Sequence, residues 1–352
     1  MPNFLDGKYK LSSKLLAWYK KNARALPWRR TKDPYAIWVS EIMLQQTQVQ
    51  TVIPYYERWM NRFPTLAALA AAPLDEVMRY WAGLGYYRRV KMLHEAARFI
   101  QAGCGGKIPS DPDELLKIPG IGRYTAGAIA SIAFQKPVPL VDGNVIRVLT
   151  RLYAIKDDIG QTKTQRKLWV LAESLVPQKT PGDFNQALME LGATICLPNN
   201  PGCLLCPVAL ECRARIRGRP EHFPVKTKKE KLEKLNTAAL ILKNRQNRVF
   251  IQKQPHAGRW GGLWMFPFAE ELRQLEKRFG VSLKKEKPHM QVRHGFTKYQ
   301  ISLSVYQTKT SLPPSTFGLH PQHKWVALHD LPHFAFPSPH QKIVRELLKN
   351  SR

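Results

Sequence analysis

Ile118-Pro-Gly-Ile-Gly-Arg-Tyr-Thr-Ala126 is the stretch on which the fold prediction depends. It follows one helical stretch, Asp113–Lys117, and opens another, Tyr124–Phe134. Gly120 and Gly122 permit a tight turn whose backbone N–H groups face outward at a helix N-terminus, where a phosphate can bind. A plain corner between two helices would use the same glycines, but the adjacent Arg123 on a basic chain favours contact with a DNA backbone.

The whole chain carries a large excess of positive charge. Its 352 residues include 55 Lys and Arg against 26 Asp and Glu, a formal net charge of +29. An ordinary small domain carries a net charge of about 2 to 8 in magnitude. The excess predicts a polyanionic partner, with nucleic acid favoured over an acidic membrane surface.

Neither a signal-peptide core nor an apolar run approaching about 18 residues is found in the sequence. We therefore expect a cytoplasmic protein that associates with the nucleoid through DNA and not with a membrane. We also expect a monomer of bacterial type, and the sequence identifies no protein partner.

Hydrophobic periodicity divides the chain into a helical body and an α+β tail. Apolar residues recur at three- and four-residue spacing up to about Arg215, and strand-like alternation follows. We predict a helical catalytic region over 1–215, a charged linker over 216–234 and a separate domain over 235–352. The predicted elements include helices Pro34–Trp59, Leu74–Trp81, Arg88–Ile100, Thr164–Leu175 and Leu272–Phe279, and strands Thr237–Leu242, Arg248–Lys253, His289–Arg293 and Gln300–Gln307.

Four of the five cysteines form a tight cluster, C-x6-C-x2-C-x5-C, made of Cys196, Cys203, Cys206 and Cys212. Four thiolates this close in sequence can surround one metal centre. Structural zinc usually takes two tight cysteine pairs, and only one is present here, so the spacing favours iron–sulfur. Zinc and unligated core cysteines remain alternatives, and Cys104 stands apart with no assigned role.

In this order and spacing, the hairpin, Val141-Asp-Gly-Asn-Val145 and the cysteine cluster resemble the helix-hairpin-helix glycosylase superfamily. Within it, Ser40–Val49 (SEIMLQQTQV), Gly83–Tyr87 (GLGYY) and a strand-rich tail resemble the adenine DNA glycosylases, the MutY family. The resemblance implies a six-helix barrel with the hairpin over about 30–136. It also implies a 4Fe–4S cluster domain, formed by the N-terminal helix with 137–215, and a C-terminal Nudix-like domain.

Members of that family hydrolyse the N-glycosidic bond of adenine mispaired with 8-oxoguanine or guanine. The bond is hidden inside the duplex, so the adenine must first be flipped out. The resemblance therefore makes double-stranded DNA containing such a mispair the expected partner.

Two carboxylates are the candidate catalytic groups. Excision needs an acid to protonate the base and a negative charge to stabilise the cationic sugar. Glu41 lies in an apolar helix, Ala36–Val49, where burial should raise its pKa, although a helical Glu is more often solvated. Asp142 stands before the helix Val145–Leu152, where helix capping is the alternative role. The resemblance makes Glu41 the general acid and Asp142 the group that stabilises or captures the oxocarbenium ion, with Asn144 in support.

Other contacts come from the resemblance alone. It implies that some side chains enter the duplex, others touch the opposite lesion base and others enclose adenine. Gln46 and Tyr86 would enter the duplex, and Thr47 and Leu84 would touch the lesion base. Adenine would be enclosed by Trp28, Arg29 and Gln186. For Tyr86 an ordinary core aromatic is the alternative.

Tyr124 decides whether strand cleavage is expected. The related endonuclease III-like enzymes attack the sugar with a lysine amine that follows the hairpin, at the position of Tyr124. A phenol cannot form a Schiff base, so we predict a glycosylase with little or no lyase activity.

The tail, Trp260–Pro267 with Arg273–Val281, resembles the Nudix strand and signature helix. Gln274, Lys277 and Arg278 stand where that signature needs glutamates for magnesium, so we do not expect pyrophosphate hydrolysis. A DNA sensor without catalysis is a third possibility, but it would not need Glu41 and Asp142 together.

Within the tail, family members usually carry Phe-Ser-His where Phe296, Thr297 and Lys298 stand. Thr297 keeps the hydroxyl that would meet 8-oxoguanine. Lys298 would instead add salt-dependent affinity that does not depend on the opposite base.

Overall fold

The computed structural model describes residues 4–227, 233–255, 260–283, 287–296, 299–310 and 322–350. Contacts divide the chain into two compact units. We call Met1–Ala71 with Met92–Lys228 the helical unit, and Ala72–Lys91 with Lys229–Arg352 the tail unit. The division falls within the predicted linker, but the assignment of Ala72–Lys91 to the tail unit was not predicted from the sequence.

The described residues from Phe4 to Ile216 form mainly α-helices. They are α1 (Phe4–Asn22), α2 (Pro34–Leu44), α3 (Val49–Arg62), α4 (Leu66–Ala71), α5 (Leu74–Trp81), α6 (Arg88–Gly103), α7 (Pro112–Leu116), α8 (Arg123–Ala128), α9 (Gly143–Tyr153), α10 (Thr162–Leu175), α11 (Pro181–Thr194) and α12 (Arg213–Ile216). Helix α2 shows why they begin where they do. The Asp33 carboxylate accepts hydrogen bonds from the backbone N–H groups of Tyr35 and Ala36, and Pro34 occupies the first turn.

A large core cluster packs the helices around α9, the helix that begins just after Asp142. Leu11 and Leu15 of α1 pack with Leu149 of α9, Leu168 of α10 and Leu188 of α11, all buried. At α8, Gly127 allows a close approach, because an added Cβ would lie 2.2 Å from the carbonyl oxygen of Pro139. The chain before Asp142 therefore lies directly against the hairpin's second helix.

The structure corrects two predicted helices. Pro34–Trp59 is two helices and not one, because the chain breaks after Leu44 and Gln46 adopts a left-handed conformation with φ of +54°. The predicted helix Tyr124–Phe134 begins at Arg123 and passes into a π-helical turn, Ile129–Ala133. Such turns often lie beside functional sites.

The tail unit is built on a mixed sheet in the order β3-β2-β1-β6-β5, with β4 paired to β1 and β7 to β2. The strands are β1 (Glu233–Lys243), β2 (Val249–Lys253), β3 (Trp264–Met265), β4 (Phe268–Ala269), β5 (Met290–Phe296), β6 (Tyr299–Lys309) and β7 (His323–Val326). Strands β1 and β6 run parallel, in register from Glu233 opposite Tyr299 to Lys243 opposite Lys309. The structure thus has strands at all four predicted places.

Six consecutive residues of β1, Thr237–Leu242, are buried. Because successive side chains point to opposite faces of a sheet, both faces of β1 are covered. Leu240 packs with Phe279 of α13 (Leu272–Phe279), and Ile241 packs with Ile343 of α14 (Ser338–Lys349). The predicted helix Leu272–Phe279 has these bounds in the structure.

The start of the predicted linker is folded onto the helical unit. Phe223 is buried and packs against Ala154 and Ala214. The side chain of Arg151 donates a hydrogen bond to the carbonyl oxygen of Phe223. Across the part of the chain that the structure describes, no helix combines the length and apolar character needed to cross a bilayer.

Candidate active site

A cavity of about 440 Å³ in the helical unit brings most of the predicted site residues together. The predicted residues that line it are Trp28, Arg29, Glu41, Gln46, Thr47, Tyr124, Asp142, Asn144 and Gln186. They come from stretches far apart in sequence, so the fold, and no local motif, assembles them. The break after α2 places Gln46 and Thr47 at the wall of this cavity.

Glu41 is a buried carboxyl on α2, and its side chain lines the cavity. Burial, helped by the nearby Asp142, raises its pKa to about 7 against the opposing effects of the Tyr124 hydroxyl and Arg29. The Tyr124 hydroxyl donates a hydrogen bond to Oε2 of Glu41. Glu41 can therefore hold a proton near neutral pH and stands in a fixed position.

Asp142 caps α9 and also lines the cavity. Its Oδ1 accepts a hydrogen bond from the Val145 N–H at 2.7 Å, and its Oδ2 accepts one from the Asn144 amide at 2.9 Å. Burial raises the pKa of Asp142, but these hydrogen bonds oppose that effect. The capping and catalytic roles considered from the sequence are thus compatible, because two donors hold the carboxylate at the cavity wall.

Arg147 supports this arrangement and was not predicted. It donates to Oδ1 of Asn144 at 2.8 Å and to the carbonyl oxygens of Gly192 and Cys196 at 2.6 and 2.7 Å. The Asn144 amide is thereby oriented with its NH₂ group towards Asp142. The only sequence signal was an arginine three residues after Asn144 in a largely apolar helix.

Glu190 is a second functional candidate that was missed. Its fully buried carboxylate accepts hydrogen bonds from Arg24 and Arg29, each at 2.8 Å. These hydrogen bonds outweigh burial and lower the pKa of Glu190 to about 2. Glu190 thus holds Arg29 at the cavity. The sequence pattern that pointed to Glu41, a carboxylate within an apolar helical stretch, is also present at Glu190.

The hairpin has the predicted turn. Gly120 has a φ of +81°, and an added Cβ would lie 3.0 Å from Cβ of Met92. Gly122 has no neighbour within 4 Å of an added Cβ, so another backbone could approach there. The Arg123 guanidinium lies 4.0 Å from the centre of the Trp169 ring. That contact fixes the cation beside the exposed turn.

Comparison with known proteins agrees with this geometry. The family model described as "HhH-GPD superfamily base excision DNA repair protein" matches residues 39–174, and a NUDIX domain model matches residues 238–346. An adenine DNA glycosylase of Buchnera aphidicola is 34% identical across 97% of this chain and 99% of its own length. The chain belongs to the adenine DNA glycosylase family. The predicted family and fold class are therefore confirmed.

Other family members are longer. The human adenine DNA glycosylase is 41% identical over 75% of this chain, and the Arabidopsis thaliana one is 43% identical over 73%. The chain spans about half the length of these two relatives, 58% and 47% respectively.

Among solved structures, a thermostable thymine-DNA glycosylase aligns over all of its chain and 61% of this one, with 31% identity and a TM-score of 0.55. A trapped endonuclease III–DNA complex aligns over 62% of this chain, at 23% identity and a TM-score of 0.52, and supports the fold alone.

The four clustered cysteines line one small cavity. Arg151 also lines it, and its side chain lies 3.3 Å from Sγ of Cys196. Burial raises the pKa of Cys206 to about 11, and it also raises the pKa of Cys212. Near neutral pH, these cysteines would lose their protons only if a bound cation stabilised the thiolates. Four cysteine side chains around one cavity are a donor set that fits a thiolate-ligated metal centre.

The remaining predicted contacts lie in the tail unit or outside the described residues. Tyr86 is 40% exposed, which disfavours the core-aromatic alternative, whereas Leu84 is buried. Thr297 and Lys298 lie outside the described residues. On α13, the Gln274 side chain completes a capping box by accepting a hydrogen bond from the backbone N–H of Glu271 at the helix N-terminus.

Proposed function

We propose that this protein removes adenine paired with 8-oxoguanine or guanine by hydrolysing its N-glycosidic bond. The observation that supports this proposal best is the pairing of Glu41 and Asp142 in one cavity. Glu41 has a pKa of about 7, and Asp142 is held by donors that favour its charged form. One carboxyl can therefore act as an acid while the other balances positive charge.

The reaction begins with adenine outside the duplex and inside the cavity. Glu41 transfers its proton to a ring nitrogen on the imidazole side of adenine. The C–N bond then breaks, and its electron pair leaves with the base. The Asp142 carboxylate stabilises the cationic sugar, either as a neighbouring charge or as a transient covalent partner. Water then adds at the anomeric carbon and gives up a proton to the Glu41 carboxylate, which restores the acid.

The surrounding residues hold the base and the DNA. Trp28 offers an aromatic face, Gln186 an amide, and Arg29 a cation fixed by Glu190. Gly120, Gly122 and Arg123 would hold the DNA backbone. We further propose that Gln46 and Tyr86 enter the duplex, that Thr47 and Leu84 contact the opposite base, and that Thr297 distinguishes 8-oxoguanine from guanine.

A 4Fe–4S cluster is the proposed cofactor, ligated by Cys196, Cys203, Cys206 and Cys212. Structural zinc usually takes two tight cysteine pairs, and this loop has only one. The four cysteines line one small cavity, and four thiolates can ligate the irons of one cluster. The cluster would supply a structural anchor for the loop 196–212.

We expect the purified protein to be brown and to contain about four irons and about four sulfides per chain. Cys203→Ser should lower the iron content and release the loop, while the control Cys104→Ser leaves it unchanged. Iron and acid-labile sulfide analysis measures both. One zinc per chain without sulfide would contradict the cluster.

The proposed enzyme does not cleave the strand. After adenine excision, the product strand should remain intact until treated with alkali, and borohydride should trap no stoichiometric protein–DNA adduct. The reason is that Tyr124, whose hydroxyl is hydrogen-bonded to Glu41, has no amine that could form a Schiff base with the sugar. Tyr124→Lys supplies such an amine as a comparison. Efficient trapping by the unmodified protein during normal turnover would refute this part of the proposal.

A further inference from the structure

Tyr86 lies in a turn that side chains of the tail unit hold in place. We call Ala82–Tyr87, between α5 and α6, the wedge turn. Gly83 and Gly85 have φ values of +109° and +73°, and Tyr86 has a φ of +49°. A left-handed conformation at a bulky residue costs free energy and persists only where its surroundings enforce it.

Two neighbouring side chains bind the carbonyl groups of the wedge turn. The Trp81 indole N–H donates to the carbonyl oxygen of Gly85 at 3.0 Å. The Arg89 guanidinium donates to the carbonyl oxygens of Leu84 and Gly85 at 3.4 and 3.3 Å, and it lies 5.3 Å from the centre of the Tyr86 ring. These contacts fix the turn locally.

The Tyr87 hydroxyl fixes the turn to the rest of the tail unit. It accepts a hydrogen bond from the Gly83 N–H at 3.1 Å and donates one to the carbonyl oxygen of Phe336 at 2.8 Å. Phe336 is 1% exposed and stacks on Phe266 in the sheet's core. One hydroxyl therefore joins the start of the wedge turn to the backbone of a buried core residue of the tail unit.

Two further contacts hold the helices on either side of the turn. The Lys253 ammonium lies 2.6 and 2.7 Å from the two carboxylate oxygens of Asp75 on α5. The Lys91 ammonium on α6 donates to the carbonyl oxygen of Gly261 at 2.7 Å. Lys253 of β2, the Phe336 carbonyl and the Gly261 carbonyl thus contact the chain before, within and after the wedge turn.

We propose that Tyr87 is a positioning residue for base extrusion: its hydroxyl, held by the Phe336 carbonyl, sets the geometry from which Tyr86 enters the duplex. This inference rests on the proposed function. It gives the Nudix-like domain a second role, in extruding adenine, that is separate from reading the lesion base.

The test is Tyr87→Phe, which removes one hydroxyl and keeps the ring. Extrusion is measured with 2-aminopurine in place of adenine opposite 8-oxoguanine, in a catalytically inactive Asp142→Asn background, so the readout does not depend on excision. We expect extrusion to fall about five- to tenfold, with duplex affinity nearly unchanged. Tyr306→Phe is the control, since this ring packs on the other face of the sheet.

A second readout separates positioning from general damage. With Asp142 restored, Tyr87→Phe should excise adenine more slowly from a paired duplex but at the normal rate when adenine faces an abasic site, where unstacking costs less. Unchanged extrusion, or equal slowing on both substrates with lower thermal stability, would overturn the inference. Failure of the unmodified protein to excise adenine from either substrate would instead refute the proposed function.

Discussion

Asp142→Asn will slow adenine excision by at least about a hundredfold in single turnover, because a neutral amide cannot balance the charge of the developing sugar cation. Removing one such electrostatic contact typically costs on the order of 3 kcal/mol at the barrier. Duplex affinity should stay nearly unchanged, since asparagine fills the same space. A variant that keeps more than about a tenth of the normal rate would contradict the role of Asp142.

Helix capping provides the matched control for this substitution. Asp33 caps α2 through two backbone N–H groups and Asp142 caps α9 through the Val145 N–H, but Asp33 does not line the cavity. Asp33→Asn should therefore leave the single-turnover rate within about threefold of normal and the stability nearly unchanged, because Asn and Asp cap helices about equally well. Equal loss of activity in both variants would show that capping, and not charge at the sugar, explains the effect of Asp142.

Glu41→Gln should abolish excision and at the same time stabilise the fold at alkaline pH. Folding raises the pKa of Glu41 from 4.5 to about 7, so the folded protein binds this proton more tightly than the unfolded chain does. The ionised carboxyl therefore destabilises the fold increasingly between about pH 4.5 and 7, and by a constant amount above. Neutral glutamine removes that cost, roughly 3 kcal/mol at pH 8 and about 1 kcal/mol at pH 5.5.

Denaturant unfolding at the two pH values measures this difference. Glu173→Gln, an exposed position on α10, is the control and should show no pH-dependent gain. In the unmodified protein, the excision rate should fall as the pH rises above about 7, because Glu41 loses its proton. A Glu41→Gln variant that still excises adenine refutes the general acid, and one that is less stable at pH 8 refutes the raised pKa.

The sequence predicted features that depend on local chemistry. Gly120 marked a turn that needs a positive φ, Asp142 marked a helix start, and alternation of apolar residues marked the strands. Each of these signals lies within a few residues of the feature that it specifies.

Features that depend on contacts between distant segments could not be predicted in this way. The hydrogen bonds from Arg24 and Arg29 to Glu190 join residues more than 160 positions apart. The break at Gln46 falls in the polar run Gln45–Gln48, and nothing in that run specifies the left-handed conformation that Gln46 adopts at the cavity wall. The hydrogen bond from Tyr87 to Phe336 spans 249 positions, and no local pattern indicates it.

The most direct test of the central claim is single-turnover release of adenine from three matched duplexes, in which adenine stands opposite 8-oxoguanine, opposite guanine or, as the normally paired control, opposite thymine. Adenine should be released from the first two, faster opposite 8-oxoguanine, and both reactions should disappear in Asp142→Asn while the normal A:T pair stays intact. If no adenine is released opposite either 8-oxoguanine or guanine by protein that carries its iron–sulfur cluster, the assignment of Glu41 and Asp142 as an adenine-excising pair is wrong.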